Sequence, residues 1–238
     1  FSNALFSSPS FITLFATFDK DINSAEDFAG KSVGIAEKSR PFLGGVLTHM
    51  PYFAKGLGIW EKVKWQYIGP LNSKDAMLND RIDVHTSTFR AKVERMEDGT
   101  FVCKAMAPAT PTMELMSSGK KLKFIGYKPE IIKKAFDFSK DMMVYPVLIK
   151  KGTYEGIDQD IWGIVALGLY RAPDFLPDNV VKEIMRVRHE YRDELGKYHA
   201  VLKFFPENPY PLGVPEKWIV PGVKKAMNDL GYPLPKEE

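Results

Sequence analysis

The chain has 238 residues, 45% of them hydrophobic, and 33 basic against 30 acidic side chains leave a formal charge of +3. That length supports one large domain or two modest lobes, each with a real core, and the composition excludes a disordered chain. The basic excess is too weak and too scattered for a nucleic-acid protein, but it suits a small anionic ligand.

A single cysteine, Cys103, excludes an internal disulfide and a zinc cage built on thiolates. No run of about 18 or more apolar residues reads as a membrane span, so no direct membrane insertion is expected. The opening "FSNALFSSPSFITLF" lacks the basic stretch and initiator methionine of an export signal and reads as a cut end.

"FITLFATF" at 11–18 predicts a buried strand, and "DKDIN" turns the chain. In "NSAEDFAGK", Ser24 caps one helical turn, Asp27 stands three residues on and Gly30 stops it, before the strand "SVGIA". Pro41 opens a helix running to about Gly56, with Pro51 kinking or restarting it. In "VKWQYIG", Val63, Trp65 and Tyr67 alternate with Lys64 and Gln66, the pattern of a strand. The loop "GPLNS" then leads to a short helix, "KDAMLND", capped by Ser73, and "RIDVHTS" is the third strand. Short helical crossovers between these three strands imply parallel pairing.

"FRAKVERMEDG" and "TPTMELMSSG" read as helices, the second with Thr110 as cap, Pro111 in the first turn and Gly119 past its end. "KLKFIG" and "MMVYPVLI" read as strands on either side of a helix from about Glu130 to Lys140. The polar "KKGTYEGIDQD" precedes the apolar strand "IWGIVALGLY", and Gly152 to Asp160 reads as the crossing between two lobes. Val180, Ile184, Val187, Tyr191 and Leu195 fall on one helix face and predict a core stripe. A proline-rich stretch then leads to a last helix with Val223, Ala226, Met227 and Leu230 inward and Gly231 as its stop.

The common catalytic and nucleotide motifs are absent: no Gly-x-Ser-x-Gly, no phosphate loop, no Gly-x-Gly-x-x-Gly after a strand and no His-Glu-x-x-His. His49, His85, His189 and His199 lie apart in sequence and read as ordinary polar or core residues, and Cys103 as a small buried hydrophobe. No catalytic residue, metal or cofactor is expected.

What converges is a set of loops at the carboxyl ends of the predicted strands, where open parallel sheets bind ligands and helix N-termini present free N–H groups. The first loop carries Ser39 and Arg40, the second Asn72 and Ser73, the third His85, Thr86, Ser87, Thr88 and Arg90. Hydroxyl, amide and guanidinium donors of this kind suit a carboxylate, because an Arg fork binds it with two charge-assisted bonds. The competing reading makes Ser39, Ser73 and Thr88 plain helix caps and leaves Arg40 and Arg90 in water.

Several segments resemble those of TAXI-type solute-binding proteins, the extracytoplasmic receptors of TRAP transporters, with the type 2 periplasmic-binding-protein fold. "AEDFAGKSVGIA" is similar to that family's Asp-Leu-Lys-Gly-Lys-x-Val-x-Val-Gly segment, and "NDRIDVHTST" to its Gly-x-Ile-Asp-Ala strand. "IKKGTYEGIDQD" resembles Ile-Pro-Ala-Gly-Thr-Tyr-x-Gly-Gln, "DFLPDNVVKEIM" the Asp-Leu-Pro-Glu-Asp helix start, and "WIVPGVKKAMNDLG" the closing His-Pro-Gly helix. The likeness runs from about residue 19 to the C-terminus in the family's order. Where the family carries a Gly-Ser-Gly-Thr loop, this chain has Glu37 to Phe42, bulkier and charged.

The resemblance implies an α/β protein of two lobes with mainly parallel sheets and a hinge, a ligand clamped between the lobes, and no catalysis. Lobe one would hold residues 1–20 and 160–238, and lobe two residues 21–159; the export signal and part of lobe one would lie before Phe1. It adds Tyr154 to the candidate ligand-binding residues and implies a periplasmic or extracytoplasmic receptor for a small organic anion, delivered to membrane subunits of a TRAP transporter. Two rivals share the fold: an enzyme resembling those of thiamine-pyrimidine synthesis, which calls for a cysteine-rich motif, and a cytosolic effector-sensing domain, which calls for a DNA-binding segment upstream.

Overall fold

The computed structural model describes residues 2–37, 54–97, 100–132, 144–211 and 213–234. It is a mixed α/β structure that divides into two compact units, one of residues 11–166 and one of residues 1–10 with 167–238. Strands β1 (Ser2–Thr17) and β8 (Ile161–Pro173) each contribute residues to both units.

The larger unit is built on a sheet in the order β3-β2-β4-β5-β7-β8-β1-β6, with a further pairing of β4 and β1. Its remaining strands are β2 (Ser32–Ile35), β3 (Lys64–Tyr67), β4 (Val84–Arg95), β5 (Phe101–Pro108), β6 (Lys123–Ile125) and β7 (Val144–Ile149). β2 pairs parallel with β3 and β4, as the short crossovers predict. Ser24 and Asp27 hold the turn ahead of β2: the Asp27 carboxylate accepts the backbone N–H groups of Asn23 and Ser24, both at 2.9 Å. Those bonds also keep its carboxyl below the usual aspartate value.

Val33 and Ile35 of β2 are buried with Phe15, Phe28 and Tyr127, whose rings lie 4.6 and 4.8 Å from that of Phe15. Between them Gly34 points to the opposite face, toward helix α1 (Gly69–Leu78). A Cβ there would sit 2.1 Å from Ser73 Oγ, so the helix packs this closely only because position 34 has no side chain.

The region of "FRAKVERMEDG" is not a helix. β4 continues through it to Arg95 and pairs antiparallel with β5, from Phe89 opposite Pro108 to Arg95 opposite Phe101. Its pattern is a strand's: Phe89 and Ala91 are buried, while Arg90 and Lys92, each following one of them, are partly exposed. Helix α2 (Thr110–Met116) follows, with Pro111 in its first turn and Ala109, not Thr110, as its cap. The helices expected after Pro41 and up to Lys140 fall wholly or mostly outside the described residues.

The smaller unit packs helices α3 (Asp178–Tyr191), α4 (Leu195–Tyr198) and α5 (Val223–Asp229) with residues of β1 and β8. Its core joins Leu5, Phe6, Val181, Met185, Val223 and Met227. The buried stripe of α3 is Val181, Met185 and Arg188, whereas Val180, Val187 and Tyr191 are exposed, so the predicted stripe is displaced by one residue. The last helix turns Val223, Ala226 and Met227 inward, as its spacing predicts.

Candidate functional site

Because β2, β3 and β4 run parallel, their carboxyl ends share one end of the sheet. Helix α1 starts there, at Gly69 and Pro70, with Ile68 as its N-cap. Gly69 has φ 75°, and a Cβ on it would lie 2.9 Å from Glu37 Oε1. The chain's own carboxylate thus lies against the helix N-terminus, where the free N–H groups favour negative charge.

The helix starts early because a proline in its first turn needs no hydrogen-bonded N–H. Ser73 is therefore an interior residue of α1 and not its cap. Its side chain points into the sheet and is buried, with Oγ 2.8 Å from His85 Nδ1. Burial pushes the His85 imidazole down to about 3, so it stays neutral. Asn72, one residue earlier, is exposed on the helix and does not join this pair.

Thr86, Ser87, Thr88 and Arg90 follow along β4, but alternation divides them. Ser87 shares a face with His85 and Phe89; Thr86, Thr88 and Arg90 project from the other. Thr86 Oγ1 donates to the Gly34 carbonyl at 2.7 Å, stitching β4 to β2. The Thr88 carbonyl accepts the Ala109 N–H at 2.9 Å and the Thr112 hydroxyl at 3.4 Å, which fixes the start of α2. Ser87 is fully buried and its hydroxyl has no hydrogen-bond partner, a condition shared by Thr13 on β1.

Arg90 lies with its guanidinium 3.5 Å from the centre of the Phe11 ring. It is partly buried, burial lowers its pKa from the usual value, and no carboxylate among the described residues pairs with it. Tyr154 packs edge-on against Phe89, with ring centres 6.0 Å apart, and burial, followed by the charge of Glu155, raises its phenol. Ser39 and Arg40 lie outside the described residues.

The sequence offered no signal for Phe11 as the support of Arg90, nor for the solitary hydroxyl of Thr13. A pocket of about 190 Å³ in the same unit is walled by Glu26, Leu57, Tyr127, Lys128 and Trp162 among others, and none of the candidate residues lines it. Cys103 is buried and its thiol is pushed up to about 12, the inert small hydrophobe expected of it.

Residues 6–208 match the model of the family described as the NMT1-like family. No curated protein matches the chain. Among solved structures, a Xanthomonas citri protein bound to ATP matches at 11% identity and a TM-score of 0.40, over 96% of this chain and 69% of that one. A protein of Bordetella bronchiseptica RB50 matches at 14% identity and a TM-score of 0.40, over 100% of this chain and 68% of that one.

Proposed function

The chain belongs to the NMT1-like family, within the type 2 periplasmic-binding-protein superfamily, and on the premise of that solute-binding-type fold we propose that it is a non-catalytic receptor for a small organic anion. The anion is a carboxylate, captured outside the cytoplasm and handed to the membrane subunits of a TRAP-type transporter. The TAXI-like segments running from about residue 19 to the C-terminus support the transporter as partner.

Arg90 carries the reading. Stacking on Phe11 uses the face of the guanidinium and leaves its N–H edge for an acceptor in the same plane, which is where a carboxylate binds with two parallel bonds. Partial burial removes competing water, and no carboxylate of the described residues takes the position. Among the described residues, the pair that resembles a nucleophile and its base, Ser73 and His85, supports binding over catalysis, because both side chains are almost wholly sealed from solvent.

Mass spectrometry of ligand retained by the purified chain identifies the anion, and calorimetry with that compound tests the role of Arg90. Arg90→Ala should cost about 2–5 kcal/mol of affinity, and Arg90→Lys should recover only part of it, since an ammonium cannot present a planar fork. An unchanged Kd in Arg90→Ala discards the assignment, and product formed by catalytic amounts of protein discards the receptor.

A further inference from the structure

The smaller unit buries an arginine of its own, Arg188. Arg188 stands on the inner face of α3 and is only 6% exposed. One of its nitrogens, Nη2, donates to the Pro206 carbonyl at 2.8 Å. Nε and Nη1, which together carry three N–H donors, are buried without an acceptor among the described residues. The guanidinium carbon lies 5.6 Å from the centre of the Phe6 ring and 5.4 Å from that of Phe205. Tyr170 stacks on both rings, at 4.7 and 6.1 Å, and is itself about half exposed.

A buried guanidinium needs a counter-charge or acceptors for its N–H groups, and aromatic faces offset only part of that need. No carboxylate among the described residues pairs with it. Burial lowers its pKa, the Tyr232 hydroxyl raises it both by charge and as a hydrogen-bond partner of the guanidinium, and Arg192 lowers it again. The Tyr232 hydroxyl lies 2.7 Å from His189 Nδ1. Arg188 thus keeps two buried nitrogens that meet no acceptor, is walled by rings and has no carboxylate beside it among the described residues, the features of a site for an external oxyanion.

We propose that Arg188, framed by Phe6, Phe205 and the Pro206 carbonyl, is a second anion site in the smaller unit, taking a small oxyanion of the carboxylate or phosphate class. The pair of sealed, unsatisfied nitrogens is what such an anion would satisfy. In this proposal the ring of Phe205, the C-cap of the short 3-10 helix Ala200–Phe204, is the gate through which an anion would reach Nε and Nη1.

The test titrates the whole chain with inorganic phosphate, and separately with acetate, at constant ionic strength, following the melting temperature of the parent, Arg188→Met, Phe205→Ala and Arg90→Ala. Phosphate also stabilises proteins generically by exclusion from their surfaces, and Arg188→Met measures that background. The expected result is an added rise on the order of 5 °C at a hundredfold excess over Kd in the parent, Phe205→Ala and Arg90→Ala, and none in Arg188→Met. The stronger of the two titrants identifies the class of oxyanion. Retention in Arg90→Ala separates this site from the proposed receptor site, so either can fail alone. In the parent, the Arg188 Nε–H resonance should shift along the same titration, a readout that needs no variant to fold. An equal rise in parent and Arg188→Met, or a resonance that does not move with either anion, overturns the proposal.

Discussion

Arg90 in the larger unit and Arg188 in the smaller one both rest on phenylalanine, but their surroundings treat charge differently. Arg90 is partly exposed, with its guanidinium carbon 3.5 Å from the centre of the Phe11 ring. Elsewhere in that unit buried polar side chains are neutral: Ser73 with His85, Thr86 with the Gly34 carbonyl. Arg188 is the reverse case, a charge taken into the interior with two nitrogens unsatisfied. A half-open cation keeps part of its hydration, whereas a sealed one must find acceptors inside the protein.

Acid should expose the contrast most strongly. His85 has its imidazole depressed from 6.5 to about 3, so the unfolded chain takes up a proton in that window while the folded chain does not. Its stabilising effect is complete above about pH 6.5 and is lost as the pH falls toward 3, by roughly 1.4 kcal/mol per pH unit at the steepest. Urea unfolding of the parent and His85→Gln between pH 6 and 4 isolates this slope from that of the carboxylates. Parallel curves would mean that the larger unit does not depend on a neutral buried pair.

A smaller effect comes from the glycine that lets this pair form. Gly34→Ala places a methyl group 2.1 Å from Ser73 Oγ and 2.7 Å from Ile82 Cδ1, so α1 must move or strain. A loss of about 2 kcal/mol in chemical denaturation is expected. In the smaller unit the direction differs: in phosphate-free buffer Arg188→Met should be neutral or stabilising, by about 1 kcal/mol, since an unmet charge gives way to an apolar chain of similar reach. A loss of several kcal/mol there would reveal an internal counter-charge and erase the contrast. Smallest of all, Lys74→Ala removes ion pairs to the exposed carboxylates of Asp75 and Glu114 and should lower the melting temperature by only about 1–2 °C.

The parallel strands were legible because β2, β3 and β4 are joined by short crossovers and their apolar residues are close in sequence. The far half of β4 was misread because its charges also fit a solvated helix face, although Phe89, Ala91 and Val93 carry the two-residue period. On α3 the error has a single cause: the true stripe includes Arg188, and no hydrophobic periodicity enlists a cation for a core. The candidate site was legible as residue types but not as an arrangement. Thr86, Ser87, Thr88 and Arg90 are neighbours in sequence, yet alternation sends Ser87 away from the rest, and the ring that supports Arg90 comes from the other end of the unit's sequence. Ser73 resembled a cap because the signal of Gly69 and Pro70, four and three residues earlier, was read as a loop.

β4 also bears on the order in which the larger unit assembles. Its far half pairs with β5 across a short stretch, Arg95 meeting Phe101, while its near half belongs with β2, where the Ser32 N–H donates to Asp83, 51 residues away. A local hairpin closes in microseconds, but the long loop to β2 carries an entropic delay. The hairpin can therefore exist before the parallel strands find each other. β4 then presents a preformed edge on which β2 docks, so slow folding in this unit should be traced to the arrival of β2 and not to the hairpin.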